Sequence, residues 1–310
     1  MGIYLTIVFY SAIALVILKL YIKLTTGWCY SQVCLKGKTV LVTGGNSGIG
    51  YETAADFAKR GANVIIACRN KDRAEAACEK IKKETHNQDI HYKLVDLSSF
   101  ASVRKLAEEI NQTEDHLDIL VNNAGVYNVG NQLTEDGQQL LIQTNHYSPF
   151  LLTNLLLDLM KKSKSRIVNV SSLAGMAAKM DLEKLNKYNN FFTDYALSKL
   201  CNIMFTIELA SRLKGTSVTT YSVHPGTVKT EIIRDSGLVA IVSRSIIRTL
   251  FKNATEGAQT SIYCAVQNDL EPFSGEHFED CHMVERYKSA QDVWIAKSVW
   301  AKSENVVQLR

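Results

Sequence analysis

Six short apolar runs, each followed by a segment of helical period, constrain this chain more than any other feature: 39–42, 63–67, 90–95, 119–121, 167–170 and 218–223. The rhythm is βαβ repeated, which calls for a parallel sheet with helices on both faces. Val64-Ile65-Ile66-Ala67 is apolar at every position, as a strand covered on both sides must be. With only three prolines and no Gly/Ser-rich stretch after the amino terminus, no second boundary is visible, and residues 37–310 are expected to form one α/β domain. Hydrophobic residues at 46% supply a large core and exclude a disordered chain.

The amino-terminal segment is of another kind. Sixteen residues from Ile3 to Leu18 carry no charge, and the run continues to Leu24 with only Lys19 and Lys23 interrupting it. A helix of that length reaches roughly 33 Å, against about 30 Å of bilayer hydrocarbon. Residues 1–24 are therefore expected to form a membrane anchor, with 25–36 as linker. A cleaved signal peptide is the alternative, but no Lys or Arg precedes the run and no small-x-small site follows it. Lys19, Lys23, Lys36 and Lys38 all lie after the run, which puts the domain on the cytosolic side of a single-pass protein, with the endoplasmic reticulum the first choice of membrane.

Charge narrows the partners. A net +4 spread along the chain gives no stripe for nucleic acid. Seven cysteines without paired spacing suggest neither a disulfide framework nor a metal site. The stretch 231–255 interleaves apolar residues with Arg234, Arg244, Arg248 and Lys252. It is either a helix packed on the domain with a solvated basic face or an apolar substrate lid that touches the membrane.

The first apolar run enters Thr43-Gly44-Gly45-Asn46-Ser47-Gly48-Ile49-Gly50 and then a helix over 51–59. Glycines allow close backbone approach to a pyrophosphate, and a helix N-terminus presents free N–H groups to it. On the first strand of a βαβ unit, Gly44, Asn46, Ser47, Gly48, Ile49 and Gly50 become dinucleotide contacts. About twenty residues on, where an NAD site carries a carboxylate for the ribose, the second strand ends Ala67-Cys68-Arg69-Asn70. Arg69 suits a 2′-phosphate, so NADP(H) is the expected cofactor, although Asp72 could engage Arg69 instead. Asp96 and Leu97 after the third strand, and Asn123, Ala124 and Gly125 after the fourth, lie at the same carboxyl edge, facing adenine and ribose.

Tyr195 and Lys199 fall one helical turn apart on one face. An ammonium and a bound nicotinamide cation both favour a phenolate, bringing tyrosine within range of acid–base work. Ser171-Ser172 closes the fifth apolar run at the same edge, where a hydroxyl can hold a substrate oxygen. Asn145, in a helix expected over about 138–160, is a fourth candidate.

Together, Thr43-Gly44-x-x-x-Gly48-x-Gly50, Asn122-Asn123-Ala124-Gly125, Ser172, Tyr195-x-x-x-Lys199 and Pro225-Gly226 resemble the short-chain dehydrogenase/reductase superfamily in order and type. The resemblance implies a Rossmann-type doubly wound sheet; Ser172, Tyr195 and Lys199 as catalytic residues, with Asn145 completing a proton relay; and Pro225, Gly226, Val228 and Thr230 beside the nicotinamide. Ser172 is preferred to Ser171 on the same ground. The segments 166–174 and 213–228, with the apolar anchor, are more narrowly similar to the retinol dehydrogenase 11–14 group. That group implies hydride transfer between NADP(H) and a lipophilic aldehyde or ketone, retinal first, with other lipid aldehydes and steroid ketones as rivals and a non-catalytic NADP(H)-binding adaptor as a remote alternative. Members often form homodimers, and an anchored chain can equally stay monomeric.

Overall fold

The computed structural model describes residues 2–228 and 251–309. Thr230 and most of the 231–255 stretch, residues 231–250, lie outside them. Among the described residues, eight strands form one sheet: β1 (Thr39–Thr43), β2 (Asn63–Cys68), β3 (Ile90–Leu94), β4 (Ile119–Asn122), β5 (Ser165–Val170), β6 (Val218–His224), β7 (His277–Glu279) and β8 (His282–Val284). Their order is β3-β2-β1-β4-β5-β6-β7-β8, with β8 alone antiparallel to its neighbour. The six strands expected from sequence are all present; β7 and β8, three residues each, had no apolar run to announce them.

Alternation along each strand divides the core in two. Leu41, Ile65, Leu120 and Ile167 point to the side covered by α4 (Phe100–Thr113), α6 (Ser148–Met160), α7 (Phe191–Arg212) and the last helix (Val293–Val307). Val40, Val42, Val64, Ile66, Val121 and Val168 point to the other side, against α2 (Gly48–Lys59), α3 (Lys71–Thr85) and α8 (Ala254–Val266). Burial of each such side chain is worth about 1.5–3 kcal/mol, so the two cores are the main source of cohesion for the sheet. The buried Asn169 amide donates to Thr206 and Thr220 and accepts from Asn122, so the Asn-Val-Ser glycosylation pattern there is closed to a glycan.

The helix expected over 138–160 departs from regular winding. A short α5 (Leu140–Ile142) passes into a π-turn at Gln143–Tyr147 before α6 begins. Pro149 explains it: proline has no N–H for the carbonyl four residues back, that of Asn145, and its ring pushes that carbonyl aside.

At the amino terminus, α1 runs Gly2–Thr25. Among the described residues no helix is long and apolar enough to cross a membrane. From the last turn of α1 onward the chain is strapped to the domain. Lys23 pairs with Glu256 of α8, the Gly27 N–H donates to Asp280 Oδ1 (3.1 Å), and the Cys29 N–H to Gln259 Oε1 (3.1 Å). Arg60 Nη1 donates to the carbonyls of Ser31 and Val33. Asn253 and Glu256 form a reciprocal cap on α8, so the end of the 231–255 stretch is a helix start.

Two buried histidines set an acid limit. Burial brings His146 and His224 down to about 4. The unfolded chain takes up these protons near pH 6.5 and the folded chain does not. Stability contributed by the neutral rings is therefore complete above about pH 6.5 and lost as pH falls toward about 4. The melting temperature should drop between pH 7 and pH 5, where carboxylates stay ionised, and a flat profile there would show that neither ring remains neutral in the fold.

Candidate active site

The carboxyl ends of β1 and β4 meet at the point where strand order reverses, the crevice where open α/β sheets take their ligands. A clasp holds it: the Asn123 and Ala124 N–H groups donate to Thr43 Oγ1 (3.0 and 3.1 Å), and Asn123 Nδ2 donates to the Thr43 carbonyl (2.9 Å). Asn123 thus holds the turn with its side chain. Gly50 has to be glycine, because a Cβ there would strike Asn123 Nδ2 and the Gly44 carbonyl. Gly48 adopts φ 55° and faces clear space. Ser47, the exposed N-cap of α2, makes no side-chain capping bond, so the helix N-terminus still offers its donors. Asn46 sits half-buried in the turn, and Ile49 packs toward Val228 across Gly257. This cradle fits a dinucleotide pyrophosphate.

Past β2, Arg69 is 77% exposed and lies 3.9 Å from Asp96, not Asp72. Asn70 caps α3 by accepting from the Arg73 N–H. Asp96 accepts from the Ser98 N–H and hydroxyl, and the buried Leu97 offers its carbonyl to Ser148. Pro225 and Val228 are buried, and Gly226 has φ 83° with the Lys252 side chain lying where its Cβ would be. Lys252 in turn pairs with Asp280, the carboxylate that also holds Gly27.

The structure brings Ser172, Tyr195, Lys199 and Asn145 to this same edge. Lys199 is buried, donates to the Val170 carbonyl (3.1 Å), and is brought down by that burial to about 8. Its Nζ lies 5.5 Å from the Tyr195 ring centre. Asn145 Oδ1 accepts from the Val126 N–H (2.7 Å), while Nδ2 donates to the Val126 carbonyl and to Ser198 Oγ. Gly125 passes between, where a Cβ would sit 3.3 Å from Asn145 Oδ1 and 3.4 Å from Lys199 Nζ. Against the expectation of a lowered phenol, burial pushes Tyr195 up; the Ser172 hydroxyl pulls it back in part, and Tyr127 adds to the rise. Before any cofactor charge is present, Tyr195 is held as an acid.

The two serines separate cleanly. Ser171 is buried and donates to the Lys199 carbonyl (2.6 Å). Ser172 Oγ accepts from the Ala174 N–H (3.2 Å), which leaves its own proton for Tyr195 or a substrate oxygen. Sequence reasoning missed Tyr127, whose ring meets Tyr195 edge-on at 5.0 Å and Phe191 at 5.7 Å. Its place two residues past Gly125 was the available signal. Leu173, Met176, Tyr188 and Phe192, close to these residues in sequence, expose apolar surface.

Comparison with known proteins gives the chain a family. Residues 38–238 match the family described as short chain dehydrogenase, and the chain belongs to that family: it is an oxidoreductase built around a nicotinamide cofactor. Within the family it is similar to the retinol dehydrogenases. Retinol dehydrogenase 11 of Homo sapiens is 44% identical over 289 residues, covering 92% of this chain and 91% of that protein. Retinol dehydrogenase 13 of Homo sapiens is 42% identical over 306 residues, covering 96% and 92%. An uncharacterised Mycobacterium paratuberculosis protein shares the fold at TM-score 0.75 and 31% identity, covering 91% of this chain and 98% of that one. A short chain dehydrogenase from Burkholderia cenocepacia, solved in complex with NADP, does so at TM-score 0.64 and 26% identity, covering 79% and 96%.

The serine assignment is open to direct measurement. Ser172→Ala should remove most turnover and leave the melting temperature near that of the unmodified protein. Ser171→Ala should keep turnover but cost about 1–3 kcal/mol of stability, the usual loss for a buried hydrogen bond. The reverse pattern would exchange the two roles.

Proposed function

We propose that this protein is a membrane-anchored, NADP(H)-dependent oxidoreductase that interconverts a lipophilic aldehyde or ketone and its alcohol, with retinal and retinol as the leading pair. The observation that carries the reading is the placement of Tyr195 between the buried Lys199 ammonium and the aromatic wall of Tyr127 and Phe191. An acid held beside an apolar approach serves a greasy carbonyl. The names of the similar proteins, retinol dehydrogenases 11, 12 and 13, support the retinoid.

Arg69 supports the choice of cofactor. It stands exposed at the end of β2 with only a long contact to Asp96, and the carboxylate that would favour a free ribose hydroxyl is missing. The NADP-bound Burkholderia relative is in keeping with this. Gly44, Gly48 and Gly50 with the α2 N-terminus would hold the pyrophosphate, Asp96 and Leu97 the adenine, Asn123 to Gly125 the ribose, and Pro225, Gly226, Val228 and Thr230 the nicotinamide. When bound, the nicotinamide accepts or donates the hydride.

The protein's own residues do the rest. In the reducing direction Ser172 donates to the carbonyl oxygen and fixes it beside Tyr195. Tyr195 Oη gives its proton to that oxygen as negative charge develops. The Lys199 ammonium stabilises the phenolate left behind, and Asn145 holds the loop at Val126 beside it for proton return. The apolar run of α1 followed by Lys19 and Lys23 supports an anchor at residues 1–24 in the endoplasmic reticulum membrane, with residues 37–310 on the cytosolic side. A lipophilic substrate would then arrive from the bilayer that holds the enzyme.

Detergent-solubilised protein should oxidise NADPH with all-trans-retinal and be much slower with NADH; turnover confined to a medium-chain aldehyde or a steroid ketone would discard the retinoid. Arg69→Asp should erase the preference for NADPH, and Tyr195→Phe should bind NADPH while losing most turnover. For NADPH, kcat/KM should fall as pH rises through about 8, where Lys199 of the free enzyme loses its charge.

A further inference from the structure

The exits of β5 and β6 run side by side beyond their ladder, and one contact joins them next to the reactive hydroxyl. The Ser171 N–H donates to the Val223 carbonyl (2.8 Å), and two residues on the Leu173 N–H donates to His224 Nδ1 (3.2 Å). Leu173 opens the short 3-10 helix Leu173–Ala177, for which Ser172 is the N-cap. The next two donors of that turn are satisfied within it, Ala174 N–H by Ser172 Oγ and Gly175 N–H by the Ser172 carbonyl. Among the described residues, His224 therefore supplies the bond that ties this turn to the neighbouring strand, and it does so one residue before Pro225.

We propose that His224 is a positioning residue for Ser172, its unprotonated Nδ1 fixing the Leu173 N–H so that the Ser172 hydroxyl points at Tyr195. Because His224 runs directly into Pro225 and Gly226, the same ring sets the substrate-oxygen contact against the turn assigned to the nicotinamide. The bond requires the tautomer with Nδ1 as acceptor, and burial keeps the ring neutral at working pH. The His224 ring acts through Ser172 and is assigned no proton transfer of its own. The inference rests on the reading of Ser172 as the group that holds the substrate oxygen.

The two halves of the bond can be removed separately. His224→Leu deletes the acceptor at similar size, and His224→Asn keeps an acceptor at the corresponding position. Leu173→Pro deletes the donor where proline is tolerated, since the first position of a helical turn needs no N–H and Ser172 already has the extended conformation a residue before proline prefers. Leu173→Ala keeps the donor and controls for the side chain. Each variant is assayed for kcat and KM with all-trans-retinal, for NADPH affinity by fluorescence titration, and for melting temperature.

His224→Leu and Leu173→Pro should each lower kcat on the order of 10- to 100-fold, the scale expected of a reactive group misplaced by about an ångström. NADPH affinity should stay within about threefold, a small change on the tenfold-per-1.4 kcal/mol scale. The double variant should be no slower than either single one, and His224→Asn and Leu173→Ala should recover most of the rate. Unchanged kcat in Leu173→Pro, or losses that multiply in the double variant, would overturn the proposal. If His224→Leu does not fold, Leu173→Pro against Leu173→Ala decides it alone. Full activity in Ser172→Ala would instead refute the underlying site assignment, whatever the His224 variants do.

Discussion

A lysine ammonium sealed inside the protein is the constraint on which this site is built. Removing a cation from water costs several kcal/mol unless the surroundings return the interaction, and each neighbour of Lys199 is placed to do so or to stay out of the way. Val170 offers its carbonyl at the end of β5, Gly125 omits a side chain that would crowd the ammonium, and Ser171 secures the lysine's own backbone. The compensation is partial, as the fall of Lys199 to about 8 indicates. A cation left incompletely satisfied by the protein's own groups has interaction to spare for a ligand, so the site is poised to bind.

Much of this was legible in the sequence, and the reasons are physical. Strands buried on both faces are mostly apolar, so β1, β2, β4, β5 and β6 announce themselves, the polar positions inside β5 and β6 being paired with one another or with neighbouring elements. The glycine turn and the Tyr195–Lys199 spacing are likewise dictated by backbone approach and helical pitch. β7 and β8 were silent because three residues at a sheet edge need no apolar run; His277, His282 and Met283 look like loop. Arg69 was visible as the residue that replaces a carboxylate, but its partner was not: Asp72 is near in sequence, whereas Asp96 is brought near by the pairing of β2 with β3.

The same limit applies to groups whose role depends on tertiary direction. Ser171 and Ser172 are adjacent and chemically identical, yet alternation along an extended segment sends one hydroxyl into α7 and leaves the other at the site. Asn145 could be placed on a helix but not at a π-turn, and the effect of burial on Tyr195 outweighs the pull of the Ser172 hydroxyl in the resting protein. Asp280 joins the amino-terminal strap to Lys252 and so to Gly226, residues more than two hundred positions apart for the strap and some fifty for the turn. No spacing rule would have linked them.

The wide turn at Gln143–Tyr147 has a consequence for how the chain can vary. Each residue added to or taken from a helix rotates what precedes it by about 100° and shifts it by about 1.5 Å. Because Pro149 disturbs the winding at a fixed distance behind it, Asn145 reaches Val126 only if the interval between the two is kept at four. The loop from 127 to 139 is tied at Tyr127 to Tyr195 and at Asp136 to Gln143, so its length is least constrained between those two anchors. Within 145–149 a change of length is less tolerable than many changes of residue type, so this segment is constrained first as a count and only then as a composition.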